Sequence, residues 1–343
     1  MSYRTDKEER KKISKRKAVI WLCVTAVLLT AFFVFASFYP PETWKYYVRT
    51  PEISKRRDGE LRLHFLDVGQ GDCTLIELPD GKILIVDGGN GTEETSAKIL
   101  RYLNALEIKT IDFMVLTHSD SDHAGSLDKI LKNKLVKKVY YPKIDDFSIN
   151  PEFAEFCSAL QKSGAEKEYS EVGKVISSTG KYPYRIVFLS PSATSNPNGE
   201  YGKVNTGDYT DGAINDTSAV LLIEYANRRA LLMGDSSTTV EEKLMRADEK
   251  GVWNTDALAD LQLKADVLKV AHHGSSTASS EKFLQYIGVR TAVISCGKNN
   301  LYGHPETEVL QRLNAVKAEI LRTDLHGDIL ITFNDKGAYT IEK

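Results

Sequence analysis

The densest chemistry in the chain lies in six residues, His118-Ser119-Asp120-Ser121-Asp122-His123, entered from Val115-Leu116-Thr117 and left through Ala124-Gly125. Two imidazoles and two carboxylates so close together suit a divalent metal of intermediate hardness, because neutral imidazole nitrogen and carboxylate oxygen are the ligands such ions take. A lone histidine would be a surface or structural residue. Four ligand-type side chains directly after an apolar strand are poorly explained as a solvated loop. They converge only if the backbone turns tightly, and Gly125 allows that.

Further candidates stand at the ends of other apolar runs. Asp87 follows Ile83 to Val86, and Asp235 follows Ala230-Leu231-Leu232-Met233-Gly234. His272 and His273 follow Val267 to Ala271. Each alone is an ordinary turn residue. Repetition of one arrangement, a ligand-type residue just past a buried strand, gathers all of them at one sheet edge. Adjacent strand-end residues point opposite ways, so spacing does not choose between His272 and His273. His304, after Gly303, is a candidate donor to a substrate or leaving group. His64, on the polar face of a strand, and His326, in a glycine turn, are expected to take no part. Cys23, Cys73, Cys157 and Cys296 lack metal-type spacing and read as small hydrophobes.

The elements that must position these groups read as follows. Leu61, Leu63 and Phe65 alternate with Arg62 and His64, which predicts a half-buried strand. Strands follow at Cys73–Leu78 and Ile83–Val86, separated by the Pro79-Asp80-Gly81-Lys82 turn. Helices are predicted at Thr95–Leu106, Leu127–Leu135 and Pro151–Ser163, alternating with strands at Phe113–Leu116, Val136–Tyr141 and Arg185–Leu189. Residues 191–214, rich in Ser, Asn, Gly and Asp, read as a long surface loop. Ser218–Tyr225 and Arg229–Met233 form a hairpin, and Val267–Ala271, Ala292–Ile294 and Asp328–Phe333 are further strands. Hairpins among β-α units predict mixed sheets in an α/β fold.

The N-terminus differs in kind. Residues 1–17 hold eight Lys or Arg and three Asp or Glu, then Ala18 to Phe38 runs 21 residues without a charge. As a helix that run is about 31 Å long, matching a hydrocarbon core of about 30 Å. The basic cluster before it predicts a cytoplasmic N-terminus and an exported C-terminal bulk. The apolar run is long for a cleaved signal, and Val34-Phe35-Ala36 is a poor cleavage site, which favours an uncleaved anchor. The expected organisation is a basic tail at 1–17, a transmembrane helix at 18–38, a Pro-containing, charged linker at 39–60 and a hydrolase domain at 61–343. The chain's net charge is −2 and the tail contributes +5, leaving −7 on residues 18–343. That balance argues against a general nucleic-acid-binding surface, which rests on neutralising phosphates.

The order of these motifs resembles the metallo-β-lactamase superfamily, and within it the C-terminal hydrolase domain of the ComEC competence proteins. The closer likeness is carried by Leu66-Asp67-Val68-Gly69-Gln70-Gly71-Asp72, Asn215-Asp216-Thr217-Ser218, Leu268-Lys269-Val270-Ala271-His272-His273-Gly274-Ser275, Tyr302-Gly303-His304-Pro305 and Arg322-Thr323-Asp324. The resemblance implies an αββα sandwich with a two-metal site at the sheet edges. By position, His118 and Asp120 hold one metal, Asp122, His123 and His272 the other, and Asp235 bridges them. Asp87, Asn215, Asp216, Ser218, His273 and Ser275 are expected as outer partners of the ligands or as substrate contacts. Two departures matter. Asp120 stands where the superfamily has a second histidine, and no histidine lies between His123 and His272, so Asn215 or Asp216 occupies the place of a third. Both trade nitrogen for oxygen, which makes manganese a rival to zinc.

The resemblance implies a phosphodiesterase, a nuclease acting on DNA, with Asp122, Asp235 and His304 nearest the chemistry. ComEC proteins also carry a polytopic channel and this chain has one apolar span, so a separate DNA-uptake channel is the expected partner. The alternatives are a hydrolase of a cell-envelope phosphodiester, such as a phosphorylcholine ester, and a non-catalytic binding module. Lactonase or β-lactamase activity fits the altered ligand set less well.

Overall fold

Strand β1 (Leu61–Phe65) sets the layering of the molecule. Leu61, Leu63 and Phe65 enter the core between two sheets. Arg62 and His64 face the other way and are buried too, so the strand is covered on both sides and not half-exposed. The reason is a helix. Tyr102 of α2 (Glu93–Ala105) lies over this face, its hydroxyl 2.9 Å from His64 Nδ1, while Glu77 Oε1 sits 3.0 Å from His64 Nε2 and 3.0 Å from Arg62 Nη1. Polar groups are tolerated there because each has a partner.

The computed structural model describes residues 2–38, 41–143, 150–191, 211–251, 253, 258 and 260–343. Most of the loop expected at 191–214 lies outside the described residues. Its end, Asp211–Asn215, is a single helical turn, α6.

The first sheet collects β1, β2 (Thr74–Glu77), β3 (Ile83–Val86), β4 (Thr110–Val115), β5 (Leu135–Tyr141) and β6 (Glu166–Tyr169), with β14 (Ile329–Phe333) and β15 (Tyr339–Glu342), in the order β15-β14-β1-β2-β3-β4-β5-β6. The second is ordered β13-β12-β11-β10-β9-β8-β7, from β7 (Val175–Ser178), β8 (Tyr184–Ser190), β9 (Val220–Tyr225), β10 (Arg228–Leu232), β11 (Val267–Lys269), β12 (Thr291–Ile294) and β13 (Glu319–Arg322). Both are mixed. β3 to β6 and β10 to β13 run parallel, and the remaining pairs are antiparallel. The inner faces share one apolar core that includes Leu63, Leu84 and Val115 from the first sheet and Leu221, Leu232 and Val293 from the second.

Helices cover the outer faces. α2, α4 (Leu127–Asn133) and α5 (Pro151–Ser163) belong to the first sheet's side. α7 (Thr238–Lys250), α8 (Glu281–Ile287) and α9 (Thr307–Ala315) bury Leu244, Phe283, Leu284 and Leu313 against Leu231, Leu268 and Ala292 of the second. The result is an αββα sandwich. Because β3, β4, β10, β11, β12 and β13 run in two parallel sets, the loops at their C-terminal ends form the working edge.

The N-terminal fifty residues form a separate unit from Pro51–Lys343. In it α1 (Ser2–Phe38) contains Ser14–Ser37, with a mean hydropathy of 2.6, long and apolar enough to cross a membrane by length and composition.

A candidate metal centre at the sheet edge

β4 ends at Val115 and delivers Thr117 and His118, and the one-turn helix α3 (Ser121–Ala124) then carries Asp122 and His123. The turn is held from below. Gly88 N–H donates to His123 O at 2.7 Å and Gly125 N–H to Gly89 O at 3.1 Å. Gly125 is required for this approach and not for its backbone angle. It has right-handed helical dihedrals, but a Cβ there would lie 2.2 Å from Gly91 N. Gly71 plays the same part opposite, where a Cβ would lie 2.4 Å from Asp122 O.

Asp87, just past β3, organises two imidazoles. Its Oδ1 accepts the Thr117 N–H at 2.8 Å, and its Oδ2 accepts both the Thr117 hydroxyl and His123 Nδ1–H, each at 2.8 Å. With the Thr117 proton committed to Asp87, Thr117 Oγ1 is left as an acceptor for His118 Nδ1–H, 3.0 Å away. Ser218 Oγ, 3.4 Å from the same nitrogen, accepts the Asp235 N–H at 3.1 Å. Both rings therefore present Nε2 to the interior. There His123 Nε2 stands 3.2 Å from Asp235 Oδ1, and His118 Nε2 stands 3.5 Å from Asp120 Oδ2 and 3.9 Å from Asp235 Oδ2.

The pair after β11 sits differently from strand-end residues. β11 stops at Lys269, and His272 (φ 48°) and His273 (φ 53°) lie in a left-handed turn, so strand alternation does not apply to them. His273 is buried. Its Nδ1–H points to Ser295 O at 2.9 Å, and its Nε2 lies 3.2 Å from Asp122 Oδ2 and 3.5 Å from Asp235 Oδ2. His272 keeps about a quarter of its side chain exposed, with Nδ1 3.2 Å from Thr277 Oγ1 and Nε2 3.8 Å from Asp235 Oδ2.

Four overlapping groups of described side chains bring ligand atoms within 4.8 Å of one another and could each hold a divalent ion: His118, His123 and Asp235; Asp122, His123 and His273; Asp72, Asp235 and His273; and Asp72, Asp87 and His123. Among the described residues, His273 belongs to such a group and His272 does not. The donors fit metals. His118 Nε2, His123 Nε2, His273 Nε2 and Asp235 Oδ1 are buried without a hydrogen-bond partner, an arrangement polar atoms rarely tolerate unless something else binds there.

The electrostatics agree. Burial opposes charge on every group here, yet Asp235 and Asp87 hold His123 well above the usual imidazole range, and Asp235 and Asp72 push His273 up to about 10. Burial would raise Asp122, but His273 and His123 bring it to about 2. Asp235, also opposed by burial, is held well below the carboxylate range by His123 and His273. Protonated imidazoles stand in this acidic nest for cations, and metal binding would displace those protons.

Other expected residues take other places. Asp216 Oδ1 accepts the Ser237 N–H at 3.2 Å and so fixes the loop after Asp235, while Asn215 is buried and its carbonyl receives the Ser218 N–H at 3.0 Å. Among the described residues, Asp216 joins none of the His, Asp, Glu or Cys groups that could hold an ion. Ser275 serves the histidine turn, donating its N–H to His272 O at 2.8 Å. His304 lies at the rim, its ring 5.4 Å from that of His272 and 6.4 Å from that of His273. His326 folds back on Arg322 O at 2.9 Å, away from the cluster's ligand sets. Thr117, Asp72, Lys269 and Ser295 escape the sequence reading of the site. A lysine between Leu268 and Val270 in an apolar strand was the available signal.

Two mixed sheets under two helical layers, with histidines and aspartates gathered at the C-terminal strand edge, define a metal-binding hydrolase. The chain belongs to the metallo-beta-lactamase superfamily, whose family model matches residues 66–298. Relatives include "ComE operon protein 3" of Bacillus subtilis, 30% identical over 300 residues covering 83% of this chain and 34% of that protein. "Competence protein ComA" of Neisseria gonorrhoeae is 30% identical over 302 residues, covering 88% and 34%. The chain thus spans about a third of the length of these relatives. Among solved structures, a CmlA beta-hydroxylase E377D mutant aligns at 14% identity with a TM-score of 0.49, over 82% of this chain and 55% of the other.

Proposed function

We propose that this protein is a membrane-anchored, exported phosphodiesterase that uses two divalent ions, zinc or manganese, and cleaves DNA. The observation that carries the reading is the pair of groups formed by His118, His123 and Asp235 and by Asp122, His123 and His273, on a domain with a relative named a competence protein. When bound, such ions lower the pKa of an attacking water and neutralise phosphate oxygens. The rest is the work of this chain. Asp235, with one oxygen toward His123 and the other toward His273, bridges the two groups. His118 and Asp120 complete one, and Asp122 and His273 complete the other. Asp122 keeps a quarter of its side chain exposed, so the group it forms with His273 is open to substrate. Burial and the neighbouring imidazoles His272 and His273 lower the pKa of His304, so it is neutral at pH 7, and its Nδ1 has no hydrogen-bond partner. A neutral imidazole there can donate a hydrogen bond to a phosphate or leaving-group oxygen, and the proton that oxygen needs comes from water.

The rim supports a substrate with flat apolar parts. Leu301 and Tyr302 are exposed, and Tyr302 stacks on His304 with centroids 5.8 Å apart and planes at 22°. Leu325, in the single helical turn Thr323–His326 after strand β13, is also exposed. A single exposed aromatic ring suits a nucleobase, whereas a quaternary ammonium is recognised by a cage of rings. The uncharged run of α1 from Ala18 to Phe38 and the basic residues before it in the same helix support the anchor and its cytoplasmic N-terminus.

The test uses the full chain in detergent with zinc or manganese, and single-stranded DNA, double-stranded DNA and bis-p-nitrophenyl phosphate as substrates. DNA cleavage that disappears in Asp122→Ala plus His123→Ala is expected. An unchanged rate in that variant sinks the metal reading. Cleavage of the small diester with DNA left intact sinks the nuclease reading and favours an envelope ester.

A further inference from the structure

Lys269 is among the largest fully buried side chains of the protein, 2% exposed in the middle of the second sheet. Its strand neighbours in register are Leu232 on β10 and Val293 on β12. An ammonium in such surroundings is costly to keep charged, and replacing a buried pair by apolar residues often stabilises a protein. Fold stability is therefore a weak reason for it to be there.

Its contacts lead to the metal centre. Lys269 Nζ donates to Asp72 Oδ2 at 2.6 Å and to Val270 O at 3.0 Å. Asp72 is itself fixed through its backbone, its N–H donating to Asp122 O at 3.1 Å and its carbonyl receiving the Gly89 N–H at 2.7 Å. Its other oxygen, Oδ1, is buried without a hydrogen bond and stands 3.3 Å from His273 Nδ1 as an ion-pair contact. His273 thus has a carbonyl, Ser295 O, and a carboxylate, Asp72 Oδ1, on its Nδ1 side, and Asp122 and Asp235 on its Nε2 side. Asp72 lies close enough to count as a ligand itself, within 4.8 Å of Asp235 and His273. The lysine on its other oxygen argues against that role, since a second cation would have to share a carboxylate already committed to Nζ.

We propose that Asp72 and Lys269 are positioning residues: Lys269 orients the Asp72 carboxylate, which with Ser295 O holds His273 with its proton on Nδ1 and its Nε2 lone pair toward Asp122 and Asp235. This rests on the two-metal reading of the site. The pair links the loop after β1 to β11, so the histidine turn, strained by two successive left-handed residues, is locked in one geometry from the sheet interior. Outer partners of metal-bound imidazoles are worth about 10- to 100-fold in metal affinity.

The experiment measures zinc and manganese binding to the full chain by equilibrium dialysis with elemental analysis, alongside circular dichroism and 15N imidazole shifts, which report the tautomer. The parent is expected to hold two ions. Lys269→Met and Asp72→Asn are each expected to lower the affinity for one ion about 10- to 100-fold and leave the other unchanged. The His273 signals should shift from a single Nδ1–H form to a mixture. Lys269→Met leaves Asp72 buried and unpaired, and the double variant Lys269→Met plus Asp72→Asn covers the case in which it does not fold. The double variant is expected to fold and still lose the ion. Parent-like affinity in any folded variant, with an unchanged tautomer, overturns the proposal. Loss of an ion in Asp72→Asn with none in Lys269→Met makes Asp72 a ligand and also overturns it. A parent that binds no metal instead overturns the two-metal reading beneath it.

Discussion

Asp87 Oδ2 and His123 Nδ1 lie 2.8 Å apart inside the protein, and the same oxygen takes the Thr117 hydroxyl, so one carboxylate sets the tautomers of His123 and His118 together. Asp87→Ala frees both rings to rotate and to carry the proton on Nε2. The expected result is about a 10- to 100-fold loss of metal affinity, measured by dialysis against zinc or manganese. Thr117→Val removes the acceptor of His118 Nδ1–H and one donor to Asp87 but leaves the bond between Asp87 and His123, so it should weaken the ion held by His118 more than the other. Equal loss of both ions in Thr117→Val would show that the relay is not divided this way.

The two adjacent histidines are expected to behave differently. His273→Ala removes a buried nitrogen 3.2 Å from Asp122, and should leave the protein with one ion and little activity. His272→Ala removes a partly exposed ring near His304 and should keep two ions, with its effect confined to kcat or KM. Metal content of the two purified variants decides, and the reverse pattern would make His272 the ligand.

That distinction marks the limit of the sequence. The strand-end positions of Asp87, His118, Asp122, His123 and Asp235 are legible because each follows an apolar run, and buried strands that end together bring such residues to one edge. The choice between His272 and His273 is not, since it depends on β11 ending at Lys269 and the chain entering a left-handed turn. Asp72 is hidden for another reason. Its partners Lys269 and His273 are about two hundred residues away, and only the packing of the two sheets brings them together. β1 shows the same effect from the core side, where alternation reveals which residues face the inter-sheet core but not that α2 covers the other face.

Stability of the metal-free protein should depend on pH in a defined sense. The His273 pKa is raised to about 10 against an ordinary 6.5. Its stabilising contribution is complete below about 6.5 and is lost as pH rises toward 10. Asp122, lowered to about 2, contributes above its ordinary 3.8 and loses that contribution as pH falls through about 2. Metal competes with the imidazole protons, so stabilisation by zinc or manganese should grow with pH over the range in which the metal-free protein weakens. Thermal unfolding at about pH 6.5 and 9, with chelator and with metal, checks both slopes. A metal-induced increase in Tm that shrinks as pH rises would contradict the assignment of His123 and His273 as ligands.

Tyr302 tests the substrate. Tyr302 is 71% exposed although its ring stacks on His304. A base stacked on an aromatic side chain contributes about 1–3 kcal/mol, about 5- to 150-fold in binding. Tyr302→Ala should therefore raise KM for a single-stranded oligonucleotide about tenfold while kcat stays within about threefold, and Tyr302→Trp should keep the parent KM. The exposed ring is available to an unpaired base, whereas bases in a duplex already stack on their neighbours. The KM increase should accordingly be smaller on double-stranded DNA. If kcat falls and KM does not move, Tyr302 acts by holding His304 in place, and the rim does not grip the substrate.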